Sequence, residues 1–475
     1  MICPPNRKFF LIILILATLV CLTGWDDNES DENPTTLVFP PYLHSYGIRK
    51  ATKFHLFLFM QNRVKFRNPQ DLAVVRLDVW DDSTTEEDDD EVTVYGVNSG
   101  QNNIIYNVSM SALGVYGLKE HKERRLNKPM GIAANERGDV FICDSGNNRV
   151  VRLFNDGKKL DYVSSIGRPG YGRGEFRQPY GVALDSQDNL YVTDRGNHRI
   201  QVFYENDSFK NNFGVSGESD GRLHLPEAIA VNDRHREWTF YRDNFIVVID
   251  LNHSRLQKFD LSGKYLKAIH AGDFGYPNAR MGYLALDYYS NIYVTDQANH
   301  CVHKFDRNLN YLTSFGSKGS GDREFIEPRG ITIHRRFGQV FIAEKKGAQY
   351  YWIGTDYLEF SVKRHPTRED MFFFEYFLTE PSFITADIFD TNDKFVTRIW
   401  YRQFKTSGAQ KDLWSCFTSS WHDSILAKDN LEVADEYENL NTVPTGTYFV
   451  RYRFEPTYSS LNYFSKKAVK KIVIE

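Results

Sequence analysis

Two stretches of this chain lie over each other without a gap. Residues 126–150 and 176–200 align Pro129 with Pro179, Gly131 with Gly181, Asp144 with Asp194 and Arg149 with Arg199, at a spacing of 50. A period of that length marks a repeat architecture, whose units cannot bury their own faces and must stack on neighbours. Four further copies follow the template. They are carried by Pro226, Asp250 and Arg255; by Met281, Asp296 and Cys301; by Pro328, Glu344 and Gln349; and by Pro69, Asn98 and Asn103. Every copy keeps a step of five positions from the acidic or Asn residue to the Arg or its substitute.

Within a copy, the Pro and Gly open an alternating strand, a short turn leads to a second apolar strand, and Asp-x-Gly-Asn-x-Arg turns tightly into a third. The pairs Asp144 and Arg149, Asp194 and Arg199, and Asp250 and Arg255 are expected to join across that turn. Its Gly and Asn are expected to supply left-handed backbone. The aromatic content, 15% with 28 Tyr and 35 Phe, fits pleated, half-buried surfaces. The expectation is all-β: six sheets of three or four antiparallel strands closed into a six-bladed β-propeller, which hides most strand edges.

These residues resemble the NHL repeat family, whose members form such propellers, over residues 67–354. The pattern departs from the family at Asn103 and Gln349, where Arg belongs, and at Met281 and Tyr283, where Pro and Gly belong. Residues 55–60, His-Leu-Phe-Leu-Phe-Met, stand where an outermost strand precedes the next Pro, and are expected to complete the last blade.

The chain divides into a signal peptide (1–24), an acidic linker (25–50), the propeller (51–365) and a small C-terminal immunoglobulin-like β-sandwich (366–475). Arg7 and Lys8 followed by the apolar run 9–20 read as an export signal, too short to span a bilayer comfortably. Cys21 is where a lipoprotein would be acylated, but Thr18, Leu19 and Val20 depart from a lipobox, so cleavage near Gly24 is the expectation. The linker's acidic residues 26–32 cannot bury themselves. In the C-terminal part, residues 385–399 read as a hairpin around an Asp-Asn turn, and 443–453 as a turn and a long strand. This pair is similar to the immunoglobulin-like domains of flagellar hook-capping proteins and to type IX secretion sorting domains, which share a Gly-Thr-Tyr strand and a Lys-rich end, here Lys466, Lys467, Lys470 and Lys471. The scattered Cys residues show no disulfide framework.

The formal net charge of −4 gives no general attraction to phosphate backbones, so no nucleic-acid partner is expected. Lyases among NHL-type propellers hold zinc through His residues that follow the repeat Pro; that resemblance would place ligands at Gln70, Met130, Tyr180, Glu227, Gly282 and Arg329. None is His, so neither a metal nor a cofactor is expected. His198, His224, His253, His300 and His303 read as turn and surface residues. The acidic run 81–91 lacks the spacing and Gly of a calcium loop. The function expected is therefore that of an exported binding protein, periplasmic, secreted or at the cell surface. It would recognise a protein, peptide or glycan through Gln70, Met130, Tyr180, Glu227 and Arg329 near the ring axis. Its contact with a membrane would be limited to a lipid anchor at Cys21. The alternative is an axial-metal lyase or lactonase-like hydrolase, for which Asn135, Asp185, Asn232 and Asp287 would have to converge on the axis.

Overall fold

The computed structural model describes residues 36–40, 49–80, 92–109, 112–250, 254–368, 370–416 and 442–475. The apolar run 9–20, Cys21, the acidic residues 26–32, the acidic run 81–91 and His253 lie outside the described residues. Among the described residues no helix is long and apolar enough to cross a membrane.

Six inner strands, Pro69–Val75, Pro129–Ala134, Pro179–Leu184, Pro226–Asn232, Met281–Leu286 and Ile331–His334, stand side by side in a ring, the sixth beside the first. Each opens a blade that continues outward through antiparallel neighbours. The second strands Asp139–Asp144 and Phe245–Asp250 are buried along their whole length. Their unbroken apolar runs are what a strand covered on both faces requires.

The ring is closed by the N-terminal part of the chain, but not by residues 55–60. Leu37–Val38 and Lys50–Ala51 pair antiparallel with Gly347–Ile353, the third strand of blade six, and supply its outer edge. Thr36 and Leu37 are buried there, so the segment expected to be linker is in part structural. Residues 55–60 form a helix, Lys53–Met60, in which His55 Nδ1 accepts from the Thr52 N–H at 3.2 Å. A short apolar run without alternation carries no period that separates strand from helix. Here the edge that would have accepted a strand is already occupied.

The domain boundary also differs from expectation. Tyr357–Arg364, expected within the propeller, pairs instead with Phe372–Leu378 in a three-stranded sheet completed by Gly408–Trp414. A four-stranded sheet of Phe395–Lys405, Ser382–Asp390, Gly446–Pro456 and Lys466–Ile474 faces it. Phe374, Ile384, Trp400, Trp414, Tyr452 and Phe454 fill the space between the two sheets. The second module begins directly after blade six.

This sandwich is fastened to the end of the ring where the inner strands finish. Glu380, fully buried, pairs with Lys304 of blade five and accepts from the Tyr293 hydroxyl at 3.3 Å. Ser460 Oγ donates to the Ile353 carbonyl at 2.5 Å, and Phe404 packs against Phe240 and Tyr289. A buried charge pair with further hydrogen bonds makes separation costly, because either partner alone would be an uncompensated buried charge.

Candidate functional site: a blind axial channel

The third residue of each copy lies on the axis: Asp71, Gly131, Gly181, Ala228, Tyr283 and Gly330. A Cβ on Gly131 would meet the Tyr180 carbonyl at 2.4 Å, one on Gly181 the Glu227 carbonyl at 2.3 Å, and one on Gly330 the Gln70 carbonyl at 2.3 Å. These glycines are needed so that neighbouring blades can approach closely.

Where the glycine is lost, a side chain enters the axis. Tyr283 of blade five donates its hydroxyl to Gln70 Oε1 of blade one at 3.0 Å and stacks with Tyr180 of blade three at 6.0 Å between ring centroids. Arg195 lies over Tyr180 and pairs with Glu227 at 3.1 Å. Gln70, Tyr283 and Glu227 are buried. Burial pushes the Tyr283 phenol and the Glu227 carboxyl up. The expected contact residues Gln70, Tyr180 and Glu227 thus form a plug. Met130 accepts a weak hydrogen bond from Ser99, and Arg329 binds the Pro69 carbonyl at 3.2 Å.

Behind the plug lies a channel of about 510 Å³, walled by the inner strands, including Ala133, Ala183, Ala230, Ala285 and Thr332. Asp71 sits in this channel, accepting from the Ile132 N–H at 3.1 Å and the Leu72 N–H at 2.9 Å. Burial outweighs those bonds and pushes its carboxyl up to about 8. The opposite end of the channel carries Arg76, Glu136, Asp188, Arg236, Trp238 and Arg335.

Of the four side chains expected for axial metal chemistry, Asn135 and Asp185 line the channel, but each of the four is held in hydrogen bonds and none belongs to a group of three metal-capable side chains among the described residues. Asn135 Oδ1 accepts from Asp139 N–H at 2.8 Å, and Asp185 accepts from Asn189 Nδ2 at 2.8 Å and from the Tyr191 hydroxyl at 3.2 Å. Asn232 donates to the Asp243 carbonyl at 2.9 Å, and Asp287 accepts from Asn291 N–H at 2.8 Å and Nδ2 at 2.9 Å. Each ties the turn between the first and second strands of its own blade.

Two arginines at the mouth are different. Arg236 donates to the Leu184 carbonyl at 2.6 Å and Arg335 to Asn232 Oδ1 at 2.8 Å, both neutral acceptors. Among the described residues neither has a carboxylate within ion-pair distance. Carboxylates act on the pair from longer range, Asp233, Asp185, Glu136 and Asp188 on Arg236 and Asp287 and Asp233 on Arg335; Asp233 accepts from Ser186 and from the His235 N–H, and Asp287 from Asn291. Burial pushes both guanidinium pKa values down, and the Arg236 charge adds to the shift at Arg335. Two half-buried cations side by side repel each other, and an anion seated between them would offset that repulsion.

Sequence reasoning missed this pair. The signal was available: the turn from first to second strand takes residues 135–138 in blade two but 233–244 in blade four, and Arg236 and Trp238 lie in that longer loop.

The repeat turns hold the frame. Arg149 meets Asp144 at 2.8 Å, Arg199 meets Asp194 at 2.8 Å and Arg255 meets Asp250 at 3.0 Å. The left-handed residue of the turn is the one before the Arg position, at Asn148 and His198, not the Gly or the first Asn. Gly146 and Gly196 are glycines because a Cβ would strike the Asn127 and Arg177 carbonyls at 2.7 and 2.8 Å. His198 Nδ1 accepts from the Leu225 N–H at 3.0 Å and His300 Nδ1 from the Glu327 N–H at 3.0 Å, strapping each turn to the following blade.

In blade five Cys301 replaces the arginine, and His303 bonds Asp296 instead at 3.1 Å. His303, expected at the surface, is fully buried. Burial alone would raise Asp296, but the bonds from His303, Asn299 and the Arg280 N–H hold it at about 2. Asp296, Cys301 and His303 are the one group of three metal-capable side chains among the described residues, and it lies within blade five, away from the channel.

A ring of six sheets around a channel, five of four strands and the sixth of five because two short N-terminal strands close it, is a six-bladed β-propeller. Two of the protein's blades match the family model described as NHL repeat, over residues 126–153 and 176–203. Among solved structures it is similar to virginiamycin B lyase from Staphylococcus aureus, at 17% identity over 55% of this chain and 77% of that one, with a TM-score of 0.39. It is similar to a gluconolactonase from Xanthomonas campestris, at 11% identity over 68% and 96%, TM-score 0.43. A protein of unknown function from Bacteroides thetaiotaomicron matches at 18% identity over 61% and 70%, TM-score 0.42. No curated protein matches the chain.

Proposed function

We propose that this propeller is a binding protein that receives an acidic group of a peptide or glycan at the mouth of the blind channel. The observation that carries this reading is the pair Arg236 and Arg335, both half-buried at the mouth and both without a carboxylate within ion-pair distance among the described residues. Guanidinium groups favour carboxylate or phosphate through paired hydrogen bonds. Trp238, which also lines the mouth, carries the Arg336 guanidinium over its ring at 4.9 Å, and the ring face away from Arg336 would be the one to meet the body of the ligand. The run 9–20 supports a location outside the cytoplasm; a reporter enzyme active only after export, fused behind residue 30, should be active and should fall silent when the run is deleted.

The test of the binding reading is thermal denaturation in the presence of an acidic pentapeptide, a uronic-acid trisaccharide or neutral maltotriose. Saturating ligand at 100 times its Kd stabilises by about 2.7 kcal/mol. An acidic probe should raise Tm, maltotriose should not, and the double variant Arg236→Gln, Arg335→Gln should abolish the rise. Equal shifts in wild type and double variant, or none with any acidic probe, would sink the proposal.

A further inference from the structure

The helix Lys53–Met60 is apolar on all sides yet buries only Leu56. Phe54, Phe57, Leu58 and Phe59 are exposed at 64%, 51%, 51% and 42%. Single apolar side chains on a surface are ordinary, but four on one short helix make a patch that calls for a partner. The helix lies at the rim, near the outer strand Ala112–Tyr116 of blade one, away from the channel.

The charges around it say what kind of partner. Residues 49–70 carry Arg49, Lys50, Lys53, Arg63, Lys65 and Arg67 and no Asp or Glu, in a chain whose formal net charge is −4. Lys53, Arg63, Lys65 and Arg67 are exposed and have no ion-pair partner among the described residues. Lys50 reaches Asp322 at 3.8 Å. A second copy docked through this helix about a two-fold axis would bring two such cationic sets together, which like-charge repulsion opposes. An apolar helix in a segment whose only charges are cationic matches instead the boundary between acyl chains and anionic headgroups. Eight helical residues extend about 12 Å, too short to span a bilayer and long enough to lie in its interface.

We propose that Lys53–Met60 is a membrane-docking helix, seating Phe54, Phe57, Leu58 and Phe59 in an anionic lipid surface while Lys53, Arg63, Lys65 and Arg67 meet headgroup phosphates. This contact is independent of any anchor near Cys21 and of the channel.

The experiment uses the full chain with Cys3 and Cys21 replaced by serine and Leu58→Cys carrying an environment-sensitive dye. A second sample carries the dye at Tyr171→Cys, 72% exposed on another blade. Vesicles of phosphatidylglycerol and phosphatidylcholine should shift the emission of the residue-58 dye to the blue and protect it from an aqueous quencher, leaving the residue-171 dye unchanged. Lys53→Glu, Arg63→Glu, Lys65→Glu together should abolish the shift, with circular dichroism confirming the fold. No shift at residue 58, or an equal shift with pure phosphatidylcholine, overturns the proposal. So does a shift that grows with protein concentration in the absence of vesicles, which would mean that a second copy covers the helix.

Discussion

The hydroxyl of Tyr283 in blade five reaches across the propeller axis to Oε1 of Gln70 in blade one, 3.0 Å away. That bond joins blades that are not neighbours and closes one end of the channel. Tyr283→Phe leaves the buried Gln70 oxygen without this donor and should cost about 1–2 kcal/mol. Tyr283→Ala removes the plug itself and should cost about 3–5 kcal/mol. Urea denaturation of the two variants checks the order.

Arg255 and Asp250 form the most deeply buried of the three Asp–Arg turn pairs, with side-chain exposures of 2% and 0%, whereas Arg149 is 17% exposed. Arg255 also donates to the Glu218 and Arg222 carbonyls. Arg255→Ala should therefore destabilise by about 3–5 kcal/mol, and Arg149→Ala by less, because water can reach Asp144 once the arginine is gone. Equal losses would show that burial does not set the strength of these turns.

Asp71 introduces a pH dependence. Its folded pKa, about 8, lies above the unfolded carboxylate value, so the folded state binds the proton more tightly. Stability from this group is complete below about pH 4 and is lost as pH rises towards 8. Asp71→Asn should flatten the slope of Tm against pH over that window, and an unchanged slope would assign it to other groups.

Blade five tests what replaces an arginine. His303→Ala would leave the buried Asp296 carboxylate short of a donor and should cost about 3 kcal/mol. Writing the blade-four pattern into blade five, Cys301→Arg with His303→Gln, should recover most of that loss, since Gln257 donates to Asp250 in the same way at 3.1 Å. Calorimetry of the single and double variants decides it.

Much of the fold can be read from residue order. The Pro-x-Gly template of Pro129 and Pro179 places the inner strands of the first four blades, and the step from Asp144 to Arg149 places their second turns, because both are local devices repeated under the same constraint. The candidate site was far less legible. Tyr283 was visible as a departure from Gly, but whether it plugs the axis depends on Gln70, more than two hundred residues away. Arg236 and Arg335 come from different blades, and neither belongs to the repeat template.

Residue order alone therefore determined the repeat, its six copies, the all-β class and the hairpin at 385–399, since turn chemistry and apolar periodicity act over a few residues. Tertiary structure decided which N-terminal segment closes the ring, where the second module begins, and which end of the channel Tyr283 plugs. A strand edge can be filled only once, and Leu37–Val38 and Lys50–Ala51 fill it, leaving Lys53–Met60 free to be a helix. Those outcomes depend on competition between distant segments for the same hydrogen bonds and the same buried space, which no local pattern records.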